Sequence, residues 1–268
     1  MPDHNGVARD YRGEPLTPDH NGVTRDYRIA MLIDGDNAQP TLLGKMLIEA
    51  SKYGTVIIRR IYGDWTGTTL NGWKKIILNH AFEPMQQYQY TTGKNSTDSA
   101  LIIDAMDLLH DGVANCFCVV SSDSDFTRLA TRIRASGCLM LGMGKKTTPN
   151  PFVAACDVFV YTENLAVEDE KEKPTTGSAI SQKQVETESS AAQIPDPLPL
   201  LQQAFEITVQ ENGWTTLAAL GNALRQIDPS FDPRTYGVKQ LSGLLKAHSD
   251  VFYIDESVTH VQMIDLSA

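Results

Sequence analysis

Cys118-Val119-Val120-Ser121-Ser122-Asp123-Ser124-Asp125-Phe126 passes from an apolar, β-branched run into two hydroxyls and two carboxylates, and a helix-like pattern begins at Phe126. This is the pattern of a buried strand whose C-terminal end carries chemistry, because ligands of open α/β sheets sit in the crevice beyond the carboxyl ends of the strands. Ile29-Ala30-Met31-Leu32-Ile33 repeats the arrangement and runs into Asp34-Gly35-Asp36-Asn37. Two strands ending in acids predict one shared, cation-binding site.

Outward from these strands, apolar runs alternate with amphipathic segments. Strands are expected at 29–33, 54–62, 84–90, 116–120, 138–143 and 158–161, and helices at 41–51, 71–80, 97–110 and 126–136. In the helices Leu42, Leu43, Met46 and Leu47, and later Leu101, Ile102, Ala105, Leu108 and Leu109, recur at helical spacing. Strands separated by helices of this length predict a doubly wound, mainly parallel α/β sheet over residues 28–165.

Before it, residues 2–12 recur at 18–28 with only Ala8 and Thr24 differing, and a leader of 1–27 rich in Asp, Asn, Gly and Pro is expected to be disordered. Its two Asp-His clusters are weak metal candidates. Residues 166–197 are Glu, Lys, Thr, Ser, Gln and Pro with few large apolar side chains, the composition of a flexible acidic linker. Residues 198–268 then read as three helices and a hairpin, a small winged-helix α+β domain.

The apolar fraction of 41% suits a globular chain, and no apolar run approaches a membrane span. No cationic-then-apolar signal peptide opens the sequence, and Cys116, Cys118, Cys138 and Cys156 lack a Cys-x-x-Cys spacing. Buried free thiols in a reducing cytoplasm are expected. The net charge of −10 is uneven: Lys+Arg and Asp+Glu number 3 and 5 in 1–27, 13 and 13 in 28–165, 3 and 7 in 166–197, and 4 and 8 in 198–268. The acidity lies mostly outside the first domain, so it does not exclude a nucleic-acid substrate there.

The candidate site gathers Asp34, Asp36, Asn37, Asp98, Asp123 and Asp125. Carboxylates that converge repel one another, and a hard divalent cation, Mg²⁺ or Mn²⁺, relieves this. Such ions on a phosphodiester activate water and stabilise a leaving oxygen. Asn37 would orient a carboxylate or water, and Ser121 and Ser122 would hold phosphate or a ligating carboxylate. The bland alternative is that Asp123 or Ser122 only caps the following helix. Asp104, Asp107 and Asp111 read as a solvated helix face, with Asp104 near the rim. For a nucleic-acid strand, Lys145 and Lys146 rank first because they follow a strand end. Arg59-Arg60 and Lys74-Lys75 offer further charge, and Trp65 is the aromatic best placed to stack, while Tyr62 and Trp73 read as packing.

Ile33-Asp34-Gly35-Asp36-Asn37, Lys94 followed by Asp98, and Val120 to Phe126 resemble the three motifs of NYN domains, the LabA/DUF88-like branch of the PIN-like nucleases. The resemblance covers about 28–165 and implies a PIN-like Rossmannoid fold and a metal-dependent ribonuclease acting on RNA, in single-stranded form. Carried onto this chain it implies Asp34, Asp98, Asp123 and Asp125 as metal ligands and catalytic groups, with Asn37 supporting and Lys94 near the RNA. Asn95-Ser96-Thr97 departs from the Gly- or Val-rich turn common there. Gly213-Trp214, the run from Phe231 to Gly237, Leu241, Leu244, Leu245 and the hairpin from Phe252 resemble an OST-HTH (LOTUS) domain. That resemblance implies RNA binding, with Arg234, Lys239 and Lys246 near phosphate, or docking to a protein partner. A catalytically silent RNA- or protein-binding adaptor, and a haloacid-dehalogenase-type phosphatase using Asp34 as nucleophile, are the alternatives. Monomer and homodimer are both open.

Overall fold

The computed structural model describes residues 27–88, 96–166, 196–255 and 257–264. The duplicated leader, Lys94 and nearly all of the acidic linker lie outside the described residues.

In chain order the first part holds β1 (Tyr27–Asp34), α1 (Leu43–Ser51), β2 (Gly54–Gly63), α2 (Asn71–Lys74), β3 (Glu83–Gln86), α3 (Ser96–His110), β4 (Cys116–Val120), α4 (Thr127–Ala135), β5 (Leu139–Gly144), α5 (Asn150–Ala155), β6 (Val158–Tyr161) and α6 (Thr162–Ala166). The second holds α7 (Leu198–Thr208), β7 (Trp214–Thr216), α8 (Leu217–Ile227), α9 (Leu241–Ala247), β8 (Phe252–Ile254) and β9 (His260–Met263). They belong to two compact units.

The six strands of the first unit pair in the order β3-β2-β1-β4-β5-β6, and every pairing is parallel. The expected doubly wound sheet is what forms. Parallel strands are covered on both faces, which is why β1 and β4 read as unbroken apolar runs. Alternation still sorts them: Ile29, Met31 and Ile33 join Cys116, Cys118 and Val120 beneath Leu43, Met46 and Trp73. Ala30 and Leu32 join Phe117 and Val119 beneath Leu101, Ala105, Phe126 and Ile133. The sequence order reverses between β1 and β4, so the switch-point crevice opens beyond Asp34 and Val120.

Several elements differ from expectation. The helix expected over 71–80 is α-helical only through Lys74; afterwards Ile76 and Ile77 both donate to the Trp73 carbonyl, at 2.9 and 3.0 Å, and Ala81 takes φ 53°. The strand expected over 84–90 is a short edge strand that ends at Gln86. Helices α5 and α6 and strand β7 were not foreseen, being short and placed among turn-forming residues.

In the second unit β7-β9-β8 form an antiparallel sheet. Leu201, Phe205, Leu220, Leu244, Leu245, Phe252 and Val261 are buried, with the Phe205 and Phe252 rings 6.0 Å apart. The third helix is preceded by a separate 3₁₀ turn over Pro233–Tyr236, which ends at Gly237, whose φ of 79° only glycine adopts without strain, before α9 begins. Three helices and a three-stranded sheet complete the expected winged-helix α+β unit.

All four cysteines are free, and burial raises the Cys116 and Cys156 thiols to about 12, as expected of packing residues. Among the described residues no helix is long and apolar enough to cross a membrane.

Candidate metal centre

Register explains why the two acidic strand ends meet. Ile33 pairs with Val120, so the next step along each parallel strand sets Asp34 beside Ser121. Continuing the alternation, both side chains point to the sheet face that carries α3. Asp34 is 1% exposed, an environment that an unpaired carboxylate does not tolerate. Its Oδ2 accepts from Ser121 Oγ at 2.8 Å and Asn37 Nδ2 at 2.6 Å, while Oδ1 accepts from the Asp36 backbone N–H at 3.2 Å. Ser121 is itself buried, and its Oγ accepts from the Asp123 N–H at 3.1 Å, so one hydroxyl ties the end of β1 to the acidic turn after β4.

The chain can turn sharply after Asp34 because residue 35 is glycine. Gly35 N donates to Tyr62 O at 2.9 Å, and a Cβ there would lie 2.8 Å from that same carbonyl oxygen. Its own carbonyl accepts from the buried Trp73 indole at 2.9 Å.

Asp123 caps the 3₁₀ turn Ser124–Phe126, with Oδ1 accepting from Asp125 N at 2.9 Å. Capping and a place in the acidic cluster therefore coexist in one residue. Asp98 stands in the first turn of α3, and Thr97 before it hydrogen-bonds Asp36. Together Asp98, Asp123 and Asp125 each offer a carboxylate oxygen, all within 4.8 Å of one another. Burial first, then the charges of Asp34, Asp123, Asp125 and Asp36, raise Asp98 to about 6. Asp36 is raised too, mainly by burial and by Asp34. The donors are hard carboxylate oxygens whose mutual repulsion raises Asp98, a set that fits Mg²⁺ or Mn²⁺.

Asp34 is the strongest charge acting on Asp98, yet it is not one of the three mutually close carboxylates; its Oδ2 is engaged by Ser121 and Asn37. This burial also disfavours Asp34 as a phosphatase nucleophile. Ser122 Oγ accepts from the Lys145 N–H at 2.9 Å and so fixes the loop after β5. Lys145 and Lys146 follow that strand's C-terminal end, and the Lys146 N–H bonds Glu163 at 3.0 Å. Among the described residues neither ammonium has an ion-pair partner.

Other predicted contacts are already engaged. Arg59 donates to His80 O at 2.9 Å. The Trp65 indole, half-buried, donates to Met85 O at 3.1 Å. Arg234 forks onto Asp232, with Nη2 at 2.7 Å from Oδ2. Lys239 is exposed. Asp104, read from sequence as a solvated face, accepts from Arg60 Nη1 at 2.6 and 2.8 Å and from the Tyr62 hydroxyl, which anchors α3 to β2. Asp64, outside the set that sequence singles out, directly follows β2 and adds its charge to Asp36. A third strand ending in an acid was the available signal.

A family model described as NYN domain matches residues 28–165, and one described as OST-HTH/LOTUS domain matches 191–264. No curated protein matches the chain. Among solved structures, a Vibrio parahaemolyticus protein of unknown function is 21% identical, with a TM-score of 0.43, covering 51% of this chain and 93% of that one. An uncharacterised Nitrosomonas europaea protein is 29% identical, with a TM-score of 0.23, covering 31% and 92%.

Proposed function

Since the chain belongs to the NYN domain family and carries an OST-HTH/LOTUS domain behind it, we propose that it is a metal-dependent ribonuclease hydrolysing phosphodiester bonds of single-stranded RNA. In this reading 28–165 is the nuclease domain, 198–268 the targeting module, 1–27 a leader and 166–197 a linker. The observation that carries the reading is the convergence of Asp98, Asp123 and Asp125 within 4.8 Å at the switch point of a parallel sheet.

These three residues would hold the cation, Mg²⁺ or Mn²⁺. When bound, it supplies Lewis-acid polarisation of the phosphate and a water of lowered pKa. Asp34 holds the floor of the site: through Ser121 it fixes the backbone at Asp123, and through Asn37 it fixes the loop after β1. Asp36 and Thr97 set the start of α3 and so the direction of Asp98. Lys145 and Lys146, on the sheet end that bears the acids, offset the charge of an incoming phosphate chain.

End-labelled single-stranded RNA, incubated with Mn²⁺ or with chelator, tests this. Metal-dependent products are expected from the wild type. Asp34→Asn and Asp123→Asn should abolish them while the circular dichroism stays unchanged. Full activity in the double mutant, with contaminating nuclease excluded, overturns the metal-site reading; RNA binding with no metal-dependent product leaves the adaptor.

A further inference from the structure

In the second unit, the wing sheet β7-β9-β8 has two unlike faces. Thr215, Val261 and Phe252 point inward and are buried. Trp214 and Tyr253 both pair with Gln262, from opposite sides, so the three stand in one row on the outward face. The Trp214 and Tyr253 rings meet edge to face with centroids 5.9 Å apart, and Tyr253 remains 51% exposed. A large aromatic pair left at a surface is more costly than polar residues there unless something covers it.

Charge identifies the occupant. The stretches that form this sheet and its flanks, 206–216 and 247–264, contain no Lys or Arg, whereas Glu206, Glu211 and Asp250 are exposed acids and Asp255 adds a fourth. The four cations of 198–268, Arg225, Arg234, Lys239 and Lys246, all lie outside those stretches. Asp255 accepts from the backbone N–H groups of Thr259 and His260, at 2.8 and 2.9 Å, so it stays ionised at the hairpin turn. Besides Tyr253, the remaining titratable groups in these stretches are His248, Glu256 and His260. A phosphate chain approaching this face would meet the like charge of these acids. An arginine side chain would meet a complementary field, and its guanidinium stacks on Trp and Tyr faces.

We infer that the outward face of the wing, Trp214-Gln262-Tyr253 with its acidic rim, docks an arginine-containing peptide segment of a protein partner. This stands apart from the nuclease reading, because no residue of the carboxylate cluster takes part.

The full-length chain, ¹⁵N-labelled and held in chelator, is titrated with a short peptide alternating Arg and Gly, and separately with single-stranded RNA. The chain has three tryptophans, so the Trp214 indole resonance is assigned by Trp214→Phe. The peptide is expected to shift the Trp214 indole and the Gln262 side-chain amide, and RNA is expected to leave both in place. Tyr253→Ala should weaken peptide binding about threefold to fivefold and Tyr253→Phe should retain it, as the loss of one exposed cation–π contact requires. Asp250→Lys, which leaves the aromatic pair intact, should also weaken it and reduce its salt dependence. RNA moving the same two resonances, no shift with peptide, or peptide affinity unchanged from wild type in Tyr253→Ala or in Asp250→Lys would each overturn the inference.

Discussion

Replacing Asp98 by asparagine separates the electrostatic cost of the carboxylate cluster from its capacity to hold a cation. Burial and four neighbouring carboxylates raise this group from 3.8 to about 6. At about 1.4 kcal/mol per pH unit, that displacement caps the destabilisation of the metal-free protein at about 3 kcal/mol. Asp98 is only partly buried, and solvent screening brings the expected effect to about 1–2 kcal/mol. Between the ordinary value and the raised one, the folded chain binds the proton more tightly than the unfolded chain. The penalty is therefore full above pH of about 6, shrinks as pH falls through that window, and vanishes below the unfolded value. Asp98→Asn should raise the Tm of the metal-free first unit by about 3–8 °C at neutral pH, with the gain fading toward pH of about 4. Mn²⁺ should invert the order. At a free concentration about 100 times Kd the wild type gains about 2.7 kcal/mol, whereas the variant, with one of three close carboxylates neutral, gains little. Differential scanning calorimetry of the full chain, with the transitions of the two units followed separately, reads both quantities. If Asp98→Asn is no more stable than wild type in chelator and is stabilised equally by Mn²⁺, the electrostatic reasoning fails.

Ser121→Ala removes the hydroxyl that donates to Asp34 and accepts from Asp123 N; a bond to a buried charge is worth about 1.5–3 kcal/mol, so urea unfolding should show a loss of that order together with weaker Mn²⁺ binding by calorimetry. Gly35→Ala forces a Cβ to 2.8 Å from a backbone carbonyl that cannot easily yield, and should cost about 1–3 kcal/mol in the same assay. Arg60→Met leaves Asp104 without its guanidinium, 2.6 Å away; the pair is partly exposed, so about 1–3 kcal/mol is expected in chemical denaturation, and wild-type stability would deny α3 this anchor.

The order of strands and helices was legible because each parallel strand is apolar on both faces and each helix is apolar on one. The NYN and OST-HTH resemblances read from short motifs agree with the family models over 28–165 and 191–264. Where local propensity was weak the reading failed: α5 and α6 have six and five residues, too few for a period to show. The segment after Lys74 contains helix-forming residues, yet its backbone closes in mixed turns and reaches positive φ at Ala81.

At the site, sequence alone determined that acids end two strands and open one helix, because residue type and strand pattern are local properties. It could not divide the labour among them. Asp34 and Asp123 look equivalent as strand ends, yet register sets Asp34 against Ser121 in a position 1% exposed, while Asp123 lies in an open turn with its oxygen near those of Asp98 and Asp125. Likewise Asp104 reads as a solvent-facing acid until β2 brings Arg60 and Tyr62 beneath it. Burial and pairing depend on neighbours far apart in the chain, so only the tertiary structure decided which carboxylate is buried in hydrogen bonds and which three bring their oxygens together.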